Sequence, residues 1–247
     1  GLRYFKVSAS WEDYFLEDDP MLVKTEEFKD IFGNDNFAAV LTRCDNSFTK
    51  ENLELIRELT NEMMDSLSYA DKITSLTDIE FMVGSEEGMT IEQIVPETIP
   101  SDPAQLEEIR HKAYLKPHVA ERLVSKDGTL SWIILKLRTF PEDSVWNKGK
   151  NAVAPEVLTG NELEHIITKD KYQKLHPKGT GLPYVTAMKM KWISKEMPRV
   201  LGIATLISIL ILLLVTRSFR GVVVPLVTAV GSIIIVYGML GYVGMTI

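Results

Sequence analysis

Residues 200–247 constrain this chain more than any other stretch. They read VLGIATLISILILLLVT, then RSFR, then GVVVPLVTAVGSIIIVYGMLGYVGMTI. Apart from Arg217 and Arg220 in the four-residue joint, the stretch contains no Asp, Glu, Lys or Arg. Each apolar block approaches the roughly 20 residues that a helix needs to cross a bilayer. A globular core can bury one such helix, but two in succession on so short a joint leave little polar surface for water. The stretch reads as two spans, about 200–216 and 221–243, joined by a tight basic turn.

The charges lie almost wholly before Val200. The chain carries net charge −7, and the hairpin contributes only Arg217 and Arg220, so residues 1–199 carry −9 and form a water-facing region. Nucleic acid is excluded as a partner, because phosphate binding needs clustered Lys and Arg. The single cysteine, Cys44, has no internal disulfide partner and reads as a small core residue. The chain opens at Gly1 with no Met, charged n-region or apolar h-region, and it closes within or just after an apolar span. Both ends are therefore read as cuts in a longer chain.

The water-facing region takes shape in order. Residues 1–36 mix Tyr4, Phe5, Trp11, Tyr14 and Phe15 with an acidic run that includes Asp18-Asp19, before a short helix from Thr25 to Phe32 closed by Gly33. Phe37 to Thr42 is a candidate buried strand, and Thr49 is a helix N-cap with Glu51 in the first turn. Leu53, Ile56, Leu59, Met63 and Leu67 then recur at helical spacing. Residues 72–83 alternate loosely and predict a second strand ending at Gly84.

From residue 84 to 109 there are seven acids and no base, scattered singly rather than at calcium-loop spacing, so they read as a solvated face. Asp102-Pro103-Ala104-Gln105 predicts a helix start that runs to about Tyr114 and stops at Lys116-Pro117. Asp127-Gly128 between strand-like runs predicts a hairpin, with Ile133, Leu135 and Leu137 on one face and Ile134, Lys136 and Arg138 on the other. After an irregular polar stretch beyond Pro141, Thr159-Gly-Asn-Glu162 predicts a further helix start, and 182–188 a final short strand.

Strand, helix, strand, helical insertion, hairpin, helix, strand is the split βαβ pattern of a ferredoxin-like domain with one insertion. The expected fold class is thus α+β, with domain boundaries at 1–199 and 200–247, the ferredoxin-like core at about 37–188 and the helical insertion at about 84–117. Residues 188–199 read as an amphipathic approach to the membrane, with Trp192 and the lysines suited to the headgroup layer.

Signals for catalysis are absent from the sequence. His111, His118, His165 and His176 lack metal-ligand spacing. No Gly-x-Ser-x-Gly elbow, Walker loop or dinucleotide fingerprint occurs, and Ser125-Lys126 sits in a predicted hairpin rather than opening a helix. No catalytic, cofactor-binding or metal residue is assigned, and no cofactor is expected. Neither span holds an ionisable residue, so neither can carry a proton relay alone. Thr228, Ser232, Gly238, Gly241 and Gly244 permit close helix packing and point to membrane neighbours. Charge alone leaves the orientation open, since Lys189, Lys191, Lys195 and Arg199 precede the first span while Arg217 and Arg220 follow it; long domains translocate regardless of charge, which makes the short-loop arginines the better guide.

Several motifs together resemble a known family. Arg217-Ser-Phe-Arg220-Gly-Val-Val-Val-Pro225, followed by a span ending in Gly238-Met-Leu-Gly241-Tyr-Val-Gly244, resembles the junction of the second and third spans in resistance-nodulation-division (RND) exporters, in their MMPL-type, Patched-like branch. Leu16-Glu-Asp-Asp-Pro20, Ser75-Leu-Thr-Asp78, Leu123-Val-Ser-Lys-Asp-Gly128 and Gly179-Thr-Gly181-Leu-Pro183 agree with it in order. The resemblance implies a first extracytoplasmic porter domain in a proton-driven exporter of lipids or other hydrophobic molecules. It places residues 1–199 outside the bacterial cytoplasmic membrane and the Arg217/Arg220 turn inside, with the ionisable coupling residues beyond Ile247.

The implied partners are membrane lipid, the rest of the transporter chain, further copies or accessory envelope proteins, and a hydrophobic substrate whose contact residues are not assigned. Arg217, Arg220 and Pro225 mark the joint, and Trp192, Lys195 and Arg199 are expected to couple the domain to the membrane. The alternative is an extracytoplasmic binding or sensing domain tethered by the hairpin, without transport.

Overall fold

Between residues 37 and 188, alternating apolar strands and amphipathic helices assemble into an antiparallel sheet with helices packed on it. The computed structural model describes residues 19–32, 36–85, 88–116, 119, 122–141 and 153–243. The expectations for residues 1–18, for Gly33, Pro117 and His118, for the polar stretch beyond Pro141 and for Gly244 lie outside the described residues. The chain divides into two compact units, Thr25–Met188, and Gly1–Lys24 with Lys189–Ile247.

The elements run in the order α1 (Pro20–Phe32), β1 (Phe37–Arg43), α2 (Lys50–Ser66), β2 (Ala70–Thr74), β3 (Glu80–Ser85), β4 (Gly88–Gln93) and α3 (Pro103–Leu115). Then come β5 (Leu130–Leu137), α4 (Pro155–Ile167), a 3-10 helix (Asp170–Leu175), β6 (Lys178–Thr180), α5 (Leu182–Thr216) and α6 (Phe219–Val243). The main sheet has the order β2-β5-β1-β6, and each neighbouring pair is antiparallel. Because β5 lies between β1 and β2 and opposes both, those two strands run parallel, as the ferredoxin-like split βαβ unit requires. The fold is α+β, with two apolar helices at its end.

Alternation along β5 builds two cores. Ile133, Leu135 and Leu137 are fully buried with Ala38 and Val40 of β1, Ile56, Leu59 and Met63 of α2, and Leu163, Ile166 and Ile167 of α4. Trp132 and Ile134, on the other face, pack with Phe48, Leu76, Val95, Ile109, Ala113 and Val124. The insertion thus covers the sheet face that the two core helices leave open.

Local chemistry sets the element ends. Thr49 caps α2 by accepting from the Asn52 amide, and Asp102 caps α3 by accepting from the Ala104 amide with Pro103 beside it. At the hairpin turn Gly128 takes φ +75°. The Asp127 carboxylate accepts from the Ser125 hydroxyl and from the Thr129 amide and hydroxyl, which holds its pKa down at about 2. The first arm of that hairpin is a single bridge, Val124 to Ser131.

Five expectations are corrected. The first helix starts at Pro20 rather than Thr25, because Asp19 accepts from the Met21 amide (2.8 Å) and Pro20 opens the first turn. The single strand over 72–83 is two strands in different sheets. Ser75 breaks it: its hydroxyl accepts from the Thr77 amide and its carbonyl from Asp78 and Ile79, forming a turn where a ladder would need free amides. The insertion expected to be helical opens with the β3–β4 hairpin before α3.

Thr159-Gly-Asn-Glu162 lies inside α4 rather than at its start. Pro155 opens that helix, the Thr159 hydroxyl donates to the Pro155 carbonyl, and Glu162 accepts from the Ser68 amide and hydroxyl. Finally, 182–188 is the start of α5 and not a strand, since burial falls on Pro183, Thr186 and Ala187, which is helical spacing, and the fourth strand is Lys178–Thr180.

Both α5 and α6 are long and apolar enough to cross a membrane. Their apolar windows bury 0% and 6% within the chain, which separates them from the core helices of a globular protein. The helical break is shorter than the RSFR joint: α5 ends at Thr216, Arg217 turns left-handed at φ +46°, and α6 resumes at Phe219.

Candidate functional site

The closest packing of the domain gathers where β6 gives way to α5. Gly181 makes the turn at φ +105°, with its Cα so near β1 that a Cβ would lie 2.3 Å from the Phe37 carbonyl oxygen. Only glycine fits there. Pro183 follows in the first helical turn, where its missing N–H costs nothing. The Val185 amide donates to the Gly181 carbonyl (3.0 Å).

The first two turns of α5 are seated in the domain. Pro183, Thr186 and Ala187 are buried. Gly160 of α4 supplies the notch beneath them, since a Cβ there would be 2.2 Å from the Pro183 carbonyl oxygen and 2.5 Å from the Ala187 Cβ. The Tyr184 hydroxyl donates to Glu164 at 2.8 Å, and burial together with that acceptor pushes its pKa up to about 12. Its ring lies over Gly179 of β6. The Gly179-Thr-Gly181-Leu-Pro183 motif therefore seats the start of the long helix on the domain.

A charged clasp fixes the segment just before β6. Glu62 of α2 accepts from the Lys169 ammonium, from Lys171 (2.9 Å) and from the Tyr172 hydroxyl (2.6 Å). Burial alone would raise the Glu62 pKa, but these three donors outweigh it and hold the carboxyl at about 2. Burial and its bond to Glu62 push Tyr172 up to about 12, while Glu58 and Glu62 hold the Lys171 ammonium more firmly protonated. Lys171 also lies 4.6 Å from the centre of the Tyr172 ring. Neither the clasp nor the Gly160 notch was visible in the sequence, although a glycine inside a helix, costly unless it makes room, is the signal for the notch.

Trp192, Lys195 and Arg199 all fall on α5, within the second unit. Trp192 is 66% exposed, and Arg199 Nη1 donates to both Glu196 oxygens (3.0 and 3.3 Å). Pro198 lies inside the helix without ending it. Arg217 lies in the break and Arg220 in the first turn of α6, both exposed, and Pro225 lies inside α6. At the joint the Thr216 hydroxyl donates to the Leu212 carbonyl (2.7 Å), and Gly221 approaches its side chain closely. Ser208, Thr228 and Ser232 likewise donate to carbonyls one turn back, at 2.8–2.9 Å, so these hydroxyls enter the apolar blocks already paired. Gly231 and Gly238 meet nothing within 4 Å of a Cβ position, so they make no close packing between α5 and α6.

Two polar clefts flank Arg57, whose guanidinium donates to the carbonyls of Val95, Pro96 and Glu97 and is pushed down in pKa by burial. The larger, about 470 Å³, is lined by Lys50, Glu54, Glu58, Asn61 and Thr98 among others. Neither lining suits an apolar ligand. Among the described residues no group of His, Cys, Asp or Glu could hold a metal ion.

The sequence also matches a family model, that of the MMPL family, over residues 20–246. The chain belongs to the MMPL family. This match covers the domain, the seat of α5 and both apolar helices, and it makes the chain a membrane protein of the RND/MMPL transporter class, which acts on hydrophobic compounds. No curated protein matches the chain closely enough to be counted as a relative.

Proposed function

We propose that this MMPL chain supplies the extracytoplasmic, substrate-handling porter domain of a proton-driven exporter of lipids or other amphiphiles, together with its second and third spans. Residues 1–199 lie outside the bacterial cytoplasmic membrane, and the Arg217/Arg220 turn lies in the cytoplasm. Trp192, Lys195 and Arg199 belong to the lever that joins domain to bilayer. The reading rests chiefly on α5: one helix runs from Leu182, whose neighbours Pro183, Thr186 and Ala187 are core residues, to Thr216 at the end of an apolar block. A helix seated in this way carries displacement along its length, which a flexible tether does not. Neither apolar block has an Asp or Glu, so the proton-carrying group belongs to other spans of the transporter. The polar clefts around Arg57 do not suit a hydrophobic substrate, and no substrate contact is assigned to them.

The test is to replace Ile193 and Ser194 by Gly-Gly in the full transporter, which weakens the helix by about 1 kcal/mol per glycine without touching the core. Export is expected to be abolished while the thermal unfolding of the domain is unchanged. Unchanged export with the Gly-Gly pair in place would contradict the lever.

A further inference from the structure

Residues 189–199 of α5 carry Lys189, Lys191, Lys195 and Arg199 against a single acid, Glu196, in a region whose overall charge is −9. Glu196 is engaged by Arg199. Lys191, Lys195 and Arg199 recur every fourth residue, so at about 100° per residue they share an arc of about 80°, each about 6 Å along the axis from the last. Trp192, 66% exposed, lies at the edge of the same arc.

The depth of this stripe follows from the length of the apolar block. Residues 200–216 make about 25 Å of helix, short of the roughly 30 Å of bilayer hydrocarbon. The hydrocarbon boundary therefore falls in the turn before Val200. Arg199 lies at that boundary, Lys195 one turn out in the headgroup layer, and Lys191 at its outer margin.

The geometry points to a lipid-selective surface: Lys191, Lys195 and Arg199 bind the headgroup phosphates of anionic phospholipids in the leaflet that α5 enters, with Trp192 beside them. Charge complementarity decides the occupant. A cationic stripe in an otherwise acidic domain attracts anionic lipid at each Lys or Arg near the surface, whereas a zwitterionic headgroup offers no net charge. A protein partner would have to reach below the headgroup surface to meet Arg199. This inference rests on the placement of α5 proposed above and adds the headgroup chemistry.

The test uses the full chain reconstituted in phosphatidylcholine membranes with acyl-spin-labelled phosphatidylglycerol or phosphatidylcholine as the probe. The motionally restricted fraction of each gives their relative association with the protein. Phosphatidylglycerol is expected to be preferred, the preference falling in K191Q/K195Q, surviving in K191R/K195R and weakening with added salt. Equal association of the two lipids with the unaltered chain, or a preference unchanged in K191Q/K195Q, overturns the inference and leaves the membrane placement standing. A restricted component for neither lipid overturns the placement, and the inference with it.

Discussion

At the scale of single residues, the seat of α5 depends on two glycines that the sequence shows only as letters. Gly181→Ala combines a left-handed backbone with a Cβ 2.3 Å from the Phe37 carbonyl oxygen, and a loss of about 2–4 kcal/mol is expected in chemical denaturation of the domain. Gly160→Ala drives a Cβ into the Pro183 carbonyl. It is expected to cost about 1–3 kcal/mol as the first turn of α5 is displaced. Thr159-Gly-Asn-Glu162 fits a capping pattern, and nothing local reveals that Glu162 binds Ser68, far away in sequence.

Glu62 gives the pH dependence at this scale. Its carboxyl is held at about 2, below the ordinary value of 4.5, so the clasp contributes in full above about pH 5 and is lost as pH falls through that window towards 2. Lys169 and Lys171 are 38% and 43% exposed, and solvent screening reduces the contribution to about 1–2 kcal/mol. Glu62→Gln is expected to lose that amount at neutral pH, with the difference from the unaltered protein vanishing near pH 2. Urea midpoints measured across the range check both halves.

At the scale of elements, legibility followed the physics that acts locally. The Thr49 cap, the apolar face of α2 and the alternation of β5 each depend on residues within a few positions of one another, and each was readable. Thr49→Ala is expected to destabilise the domain by about 1 kcal/mol in thermal unfolding, the usual cost of a lost cap. Residues 182–188 are too few for periodicity alone to separate strand from helix. What decides for helix is the positive φ at Gly181, which stops β6, and the packing of Pro183 and Ala187 over Gly160 of α4, both set by tertiary contact. The β3–β4 hairpin was hidden for a similar reason, its first strand blending into the alternation that precedes Ser75.

For the whole molecule, the apolar blocks and the motif order were enough to reach the transporter class, since a bilayer places a demand on composition that few other environments match. What the sequence did not show is that a single helix, α5, runs from Leu182 to Thr216. The proposed lever rests on that observation. Topology is checked in a Cys44→Ala background with single added cysteines and a membrane-impermeant thiol reagent. Asp127→Cys is expected to label in intact cells and Arg217→Cys only after the membrane is opened; the reverse pattern would invert the orientation.

The most direct measurement of the central claim is amide hydrogen exchange along α5 in the protein reconstituted in a bilayer. A helix that transmits motion has its amides protected from Val185 through the turn that contains Pro198 and on into the apolar block, as one run. That continuous protection is the predicted result. A fast-exchanging gap between Met188 and Val200 would show a domain on a flexible tether and would contradict the account.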